Sequence, residues 1–143
     1  MNKPALYPRI YTRPKTSFFL FGLRGAGKSH WAHAALPRAH RIDLLDEALF
    51  QSLLADPSLL SAELAALPRG SWVILDEVQR LPSSLNEVHR AMEERRLRFA
   101  LLGSSARKLK TAGTNLLAGR AAYRTMFPLL PEASWFTESP ISK

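Results

Sequence analysis

Gly22-Leu23-Arg24-Gly25-Ala26-Gly27-Lys28-Ser29 satisfies the pattern GxxxxGK[ST] at every position. Its glycines permit backbone conformations in which successive N–H groups turn inward toward phosphate oxygens, and a helix opening at Lys28 adds the positive end of its dipole. On this reading Lys28 reaches the β- and γ-phosphates of a nucleotide, and Ser29 sets its hydroxyl on Mg2+. Such an octet also occurs by chance, so its neighbours decide. Before it, Ser17 to Phe21 is a short aromatic and apolar run suited to a buried strand. After it, Lys28 to Leu36 suits a helix that Pro37 stops. Strand, glycine-rich turn and helix in that order are the context the motif requires.

Working outward, His40 to Leu44 reads as a second strand. Leu45, Ala48, Leu49 and Leu53 fall at helical spacing, and Asp56-Pro57 opens a further helical turn carrying Leu60, Leu64 and Leu67. Trp72-Val73-Ile74-Leu75 is the clearest buried strand. Ser84-Leu85-Asn86-Glu87 matches a capping box, with Leu85, Val88 and Met92 on one face of the helix that follows, to about Arg96. Leu97 to Leu102 reads as a strand that stops at Gly103-Ser104-Ser105. A loop and short helix then lead through Asn115 to Gly119, and Ala121 to Phe127 suits a fifth strand. Strands alternating with helices over short connections predict an α/β fold with a mostly parallel sheet. Residues 1–15 read as an irregular basic lead-in broken by Pro4, Pro8 and Pro14.

Composition agrees with one such domain. The chain has 143 residues, 46% hydrophobic and 22% charged, and no cysteine, which excludes disulfide scaffolds, zinc-thiolate sites and thiol catalysis. No apolar stretch approaches the ~20 residues of a membrane span, and the lead-in lacks the apolar segment of a secretory signal, so a cytoplasmic location is expected. The net charge of +8 is unevenly spread. Residues 1–41 hold eight Lys/Arg and no acid, residues 42–94 hold ten acids against three arginines, and residues 95–131 hold eight Lys/Arg and no acid. His30 and His33 stand three apart on the first helix without a third ligand at matching spacing, and read as ordinary helix residues. Trp31, Trp72 and Trp135 read as core or partly buried anchors.

The second chemical signal is Val73-Ile74-Leu75-Asp76-Glu77, an apolar strand ending in two acids. Ligands of parallel α/β sheets bind beside that strand end. Asp76 is placed to hold Mg2+, and Glu77, one residue on, to polarise an attacking water as general base. The third is Leu101-Leu102-Gly103-Ser104-Ser105, a strand ending in small hydroxyl residues.

With these blocks in place the chain resembles the additional-strand catalytic glutamate branch of P-loop ATPases. Leu75-Asp-Glu-Val-Gln-Arg, Gly103-Ser-Ser-Ala-Arg-Lys-Leu and Asn115-Leu-Leu-Ala-Gly-Arg resemble, more narrowly, AAA-type ATP-binding proteins that normally carry a second, C-terminal domain of unknown function. The resemblance covers 16–128, with Gly22 to Ser29 as the Walker A loop and Asp76-Glu77 as the end of the Walker B strand. It implies a P-loop NTPase three-layer sandwich, a mostly parallel five-stranded sheet in the order 5-1-4-3-2, and ATP and Mg2+ as ligands. Ser104 or Ser105 is then a sensor near the γ-phosphate. Arg120 is an arginine acting on that phosphate in cis or from a neighbouring subunit, with Arg107 a weaker candidate. The strand order makes the strands fed by the two basic segments neighbours, so the basic half is expected around the nucleotide.

Members of that family continue past the fifth strand, so the resemblance also implies a shortened chain lacking a helical lid, with turnover in question. Residues 129–143 read as a divergent, disordered tail. Two other functions fit the same loop. One is a small-molecule kinase, and the other is a non-catalytic nucleotide-dependent module that binds DNA or protein. A homo-oligomer or protein partner follows from the family; nucleic acid is compatible with the charge but unsupported by any base-reading motif.

Overall fold

A computed structural model describes residues 13–23, 26–111, 117, 120–126 and 136–139. The elements are β1 (Phe18–Phe21), α1 (Lys28–Ala35), β2 (His40–Asp43), α2 (Glu47–Ala55), α3 (Ser58–Ala65) and β3 (Trp72–Asp76). They continue with a 3-10 turn (Val78–Arg80), α4 (Ser84–Arg95), β4 (Arg98–Gly103), α5 (Ala106–Thr111), β5 (Ala122–Met126) and β6 (Phe136–Ser139). The strands form one sheet in the order β2-β3-β4-β1-β5-β6. The first five are parallel, with Phe18 opposite Ala100 and Ala122, and Trp72 opposite Arg98. This is the expected 5-1-4-3-2 order read from the other edge, the arrangement of a P-loop NTPase sandwich.

Alternation along the strands makes the sheet the middle of three layers. Phe18, Leu20, Ile74, Ala100 and Leu102 face one side, where Trp31 and Ala32 of α1 cover them. Phe19, Phe21, Val73, Leu75, Phe99 and Leu101 face the other, against Leu53 of α2, Leu60 and Leu64 of α3, and Leu85, Val88 and Ala91 of α4. The Phe18 ring meets Trp31 edge-on with centroids 6.0 Å apart. Phe19 and Phe21 stack at 5.4 Å, and Tyr123 of β5 closes on both. β1 is therefore buried on both faces, and the loop it feeds starts from a fixed point.

Several sequence expectations change. Leu45 does not join the core, because α2 starts only at Glu47, capped by Asp46 accepting from the Leu49 N–H; within α2, Ala48 is on the exposed face while Leu49, Phe50 and Leu53 pack. The capping box at Ser84 does not form. Ser84 is the first helical residue of α4, and the preceding turn already uses its donors, with Ser84 N–H on the Leu81 carbonyl and Leu85 N–H on that of Pro82. Phe136–Ser139 adds a sixth, antiparallel strand on β5, from a stretch whose aperiodic sequence predicts no regular element. Such pairing needs only the backbone groups that an edge strand offers. Trp135, Pro128 and the rest of 127–135 and 140–143 lie outside the described residues.

β1, β4 and β5 are neighbours in the sheet. Their cations stand at both ends, with Arg13, Lys15, Arg95 and Arg96 before the strands and Lys28, Arg107 and Lys108 after them. The acidic segment supplies the ends of the other two parallel strands, Asp43 closing β2 and Asp76 closing β3.

Candidate functional site

The site lies at the C-terminal ends of β1, β3 and β4. Gly22, just past β1, donates its N–H to the Gly103 carbonyl at 3.1 Å, and any Cβ on it would strike the Met126 carbonyl. Only glycine passes between the ends of β4 and β5. The loop then turns, Ala26 N–H bonding the Leu23 carbonyl at 3.0 Å, and Gly27 enters α1 at φ 97°, a left-handed conformation that glycine adopts freely. Arg24 and Gly25 lie outside the described residues. α1 starts without a side-chain cap and with no acid in its first turn. Its first N–H groups and dipole are thus directed at the loop, as an anion site demands.

Lys28 is buried, 5% exposed, and its ammonium donates to the Gly22 carbonyl at 2.7 Å and the Leu23 carbonyl at 3.4 Å. The loop's own backbone holds it over the cradle. The Ser29 hydroxyl donates to Asp76 Oδ2, joining α1 to the end of β3 across 47 positions of sequence. Two hard oxygen donors side by side are the donor set that Mg2+ takes from protein before its remaining positions go to water and phosphate. Burial is the main force pushing the Asp76 carboxyl above its usual range; Asp43 and Glu77 push the same way, while Ser29 and Lys28 oppose. The residues therefore fit a divalent cation. In its absence the raised value favours the folded chain at low pH, an advantage lost as pH rises through the folded-state titration. Asp76→Asn, which keeps the Ser29 hydrogen bond, is expected to stabilise the nucleotide-free chain by about 1 kcal/mol in urea unfolding while abolishing Mg2+-dependent nucleotide affinity.

Glu77 is buried and sits at φ 61°, ψ 48°, a left-handed conformation costly for a residue with a Cβ. It opens the 3-10 turn, whose Arg80 N–H returns to the Glu77 carbonyl at 3.0 Å. Arg80 anchors this turn through the Leu44 carbonyl at 2.7 Å and by stacking on Phe50. Gln79 joins this cluster without having been singled out by its sequence. Its amide nitrogen donates to Glu77 Oε1 at 2.6 Å, and its oxygen accepts from the Ser104 N–H at 3.2 Å. One side chain thus ties the acid to the end of β4. A Cβ on Gly103 would stand 2.7 Å from that Gln79 oxygen, so a larger residue there would have to displace the Gln79 amide. Asp43 was also missed; in-register pairing sets it beside Asp76.

The structure brings together Gly22, Leu23, Ala26, Gly27, Lys28, Ser29, Asp76, Glu77 and, through Gln79, Ser104. Arg107 and Ser105 open α5 beside them, Ser105 Oγ accepting from the Arg107 N–H. Arg120 is not among them. It precedes β5, whose start lies beside Phe18 at the far edge of the sheet, and it pairs with Glu93 near the end of α4. Among the described residues no group of three His, Asp or Glu forms a separate metal cluster, and His33 titrates low chiefly through burial.

A family model described as an AAA domain matches residues 14–132. Among solved structures, the chain is similar to a RuvB mutant of Thermotoga maritima, with a TM-score of 0.53 and 21% identity, over 80% of this chain and 38% of that one. That likeness is one of fold. No curated protein matches. Among the described residues no helix is long and apolar enough to cross a membrane.

Proposed function

The chain belongs to the AAA domain family, and from that membership we propose that it binds ATP with Mg2+ and hydrolyses it to ADP and phosphate. The observation that carries this is the Ser29–Asp76 contact, which joins the phosphate loop to the acid-tipped strand as one site. The N–H groups opening α1 and the Lys28 ammonium bind the phosphates, and Ser29 with Asp76 holds the cation. Bound Mg2+ supplies charge neutralisation at the β- and γ-phosphates. Glu77 orients a water and takes its proton as the oxygen bonds to the γ-phosphorus and the bond to the ADP oxygen breaks. Gln79 fixes Glu77 relative to Ser104. Arg120, paired with Glu93 before the start of β5, would act on the phosphates from a second copy of the chain.

The test is release of labelled phosphate from γ-labelled ATP by the full chain. Release to water is expected with Mg2+ and is lost on chelation with EDTA. Transfer of label to an added metabolite in place of water would assign a kinase, and nucleotide binding without release would leave a binding module.

A further inference from the structure

The parallel strands are entered from the edge opposite the phosphate loop, and the entries of four of them are arginine-rich. Arg13 and Lys15 precede β1, Arg38 precedes β2, Arg69 precedes β3, and Arg95 and Arg96 precede β4. No Asp or Glu occurs within 13–17, 36–39, 66–71 or 95–97. Hydrogen bonds knit these entries together: Gly70 N–H bonds the Arg95 carbonyl, Arg98 N–H the Ser71 carbonyl, and Phe99 N–H the Ser17 hydroxyl. The cations therefore occupy one continuous face.

Their partners are backbone carbonyls. Arg69 donates to the Glu94 carbonyl at 3.3 Å, and Arg95 to that of Leu67 at 2.6 Å. Arg98 grips the Gly70 carbonyl at 2.9 Å and, with Arg13, stacks over Trp72 at 5.0 and 5.3 Å. Such contacts fix a guanidinium while leaving its charge uncancelled. Among the described residues none of the six entry cations forms an ion pair. Of the carboxylates near this edge, Glu63 is engaged with His40 and Glu93 with Arg120, which leaves Glu94, beside Arg95, as one exposed acid among the cations.

We propose that this edge docks the phosphodiester backbone of nucleic acid. The four entries that carry these cations, ~4.8 Å apart, make a row of roughly 14 Å. One strand of a duplex presents about four phosphates over that length, at ~3.4 Å each. Arginine, whose planar fork matches phosphate oxygens, outnumbers lysine five to one among the six. The exposed large apolar residues, Leu23, Leu45, Leu54 and Leu59, all lie outside the entry segments. The face thus lacks the apolar wedge of a membrane binder and the exposed aromatic anchor of a protein interface. Contacts of this kind position a backbone without reading bases.

The experiment is fluorescence anisotropy of the full chain with a labelled random-sequence DNA duplex and its RNA counterpart, at salt from 50 to 300 mM, beside light scattering with phosphatidylserine vesicles. Binding of about micromolar affinity at low salt is expected, with a steep salt dependence. A variant combining Lys15→Gln, Arg38→Gln and Arg96→Asn removes three exposed cations, and asparagine suits the left-handed φ of 57° at position 96. It should bind at least ~10-fold more weakly and flatten the log–log salt slope by about 2.7, with an unchanged melting temperature. Arg90→Gln, outside the edge, should change affinity less than twofold. Lys28→Ala should retain duplex binding, so this edge is tested independently of the nucleotide site. Equal affinity in the triple variant, salt-insensitive binding, or preference for the vesicles over both nucleic acids overturns the proposal.

Discussion

Lys28→Ala is expected to leave a folded chain whose ATP affinity, by isothermal titration, has fallen at least ~100-fold. Each hydrogen bond to a charged group contributes roughly 1.5–3 kcal/mol, and an ammonium placed among phosphate oxygens makes at least two. Among the described residues of the loop, Lys28 is its one cation. Its burial raises the effect further, because charge interactions strengthen where water is excluded. The fold should tolerate the change. Its ammonium bonds the Gly22 and Leu23 carbonyls of the loop, whereas α1 docks through Trp31 and Ala32. An unchanged melting temperature with ATP affinity lost is the expected pair of results, and unchanged affinity would remove the loop from the nucleotide site.

The parallel strands and the motifs at their ends are legible because each rests on a local pattern, whereas the sheet order is implied only by the family resemblance. A glycine-rich turn between strand and helix, an apolar run ending in acids, and small hydroxyls after a strand can each be read within about eight residues. What could not be read depends on pairing across the fold. Gln79 follows Glu77 by only two positions, yet its role comes from a contact with Ser104, 25 positions later. The left-handed backbone at Glu77 has no signature in its residue type. Ser84 looked like a cap because the carbonyls of Leu81 and Pro82 that displace it come from a turn invisible in the pattern. The charge of a segment does not say at which strand end its cations stand. A residue before a parallel strand stands at the opposite edge from one after it, so Arg13, Lys15, Arg95 and Arg96 lie at strand starts while Lys28, Arg107 and Lys108 follow strand ends.

Glu77→Gln is the second large effect expected: turnover falls by 10²–10⁴, roughly what a positioned general base contributes, while the dissociation constant for ATP with Mg2+ stays within about twofold. Glutamine matches glutamate in size, and its oxygen still accepts the Gln79 amide that now reaches Glu77 at 2.6 Å. The strained turn and the Ser29–Asp76 pair therefore persist, and the missing element is a group that can take a proton. Gln79→Ala separates position from basicity. It leaves the carboxylate in place but cuts its tether to Ser104, so turnover should fall by about 10-fold, an intermediate loss, again with affinity preserved. Combining the two changes should be no worse than Glu77→Gln alone, since positioning a group that cannot accept a proton has no further effect. Equal turnover in Glu77→Gln would remove that residue as the base, whereas additive losses would show Gln79 acting on the reaction by a route other than Glu77.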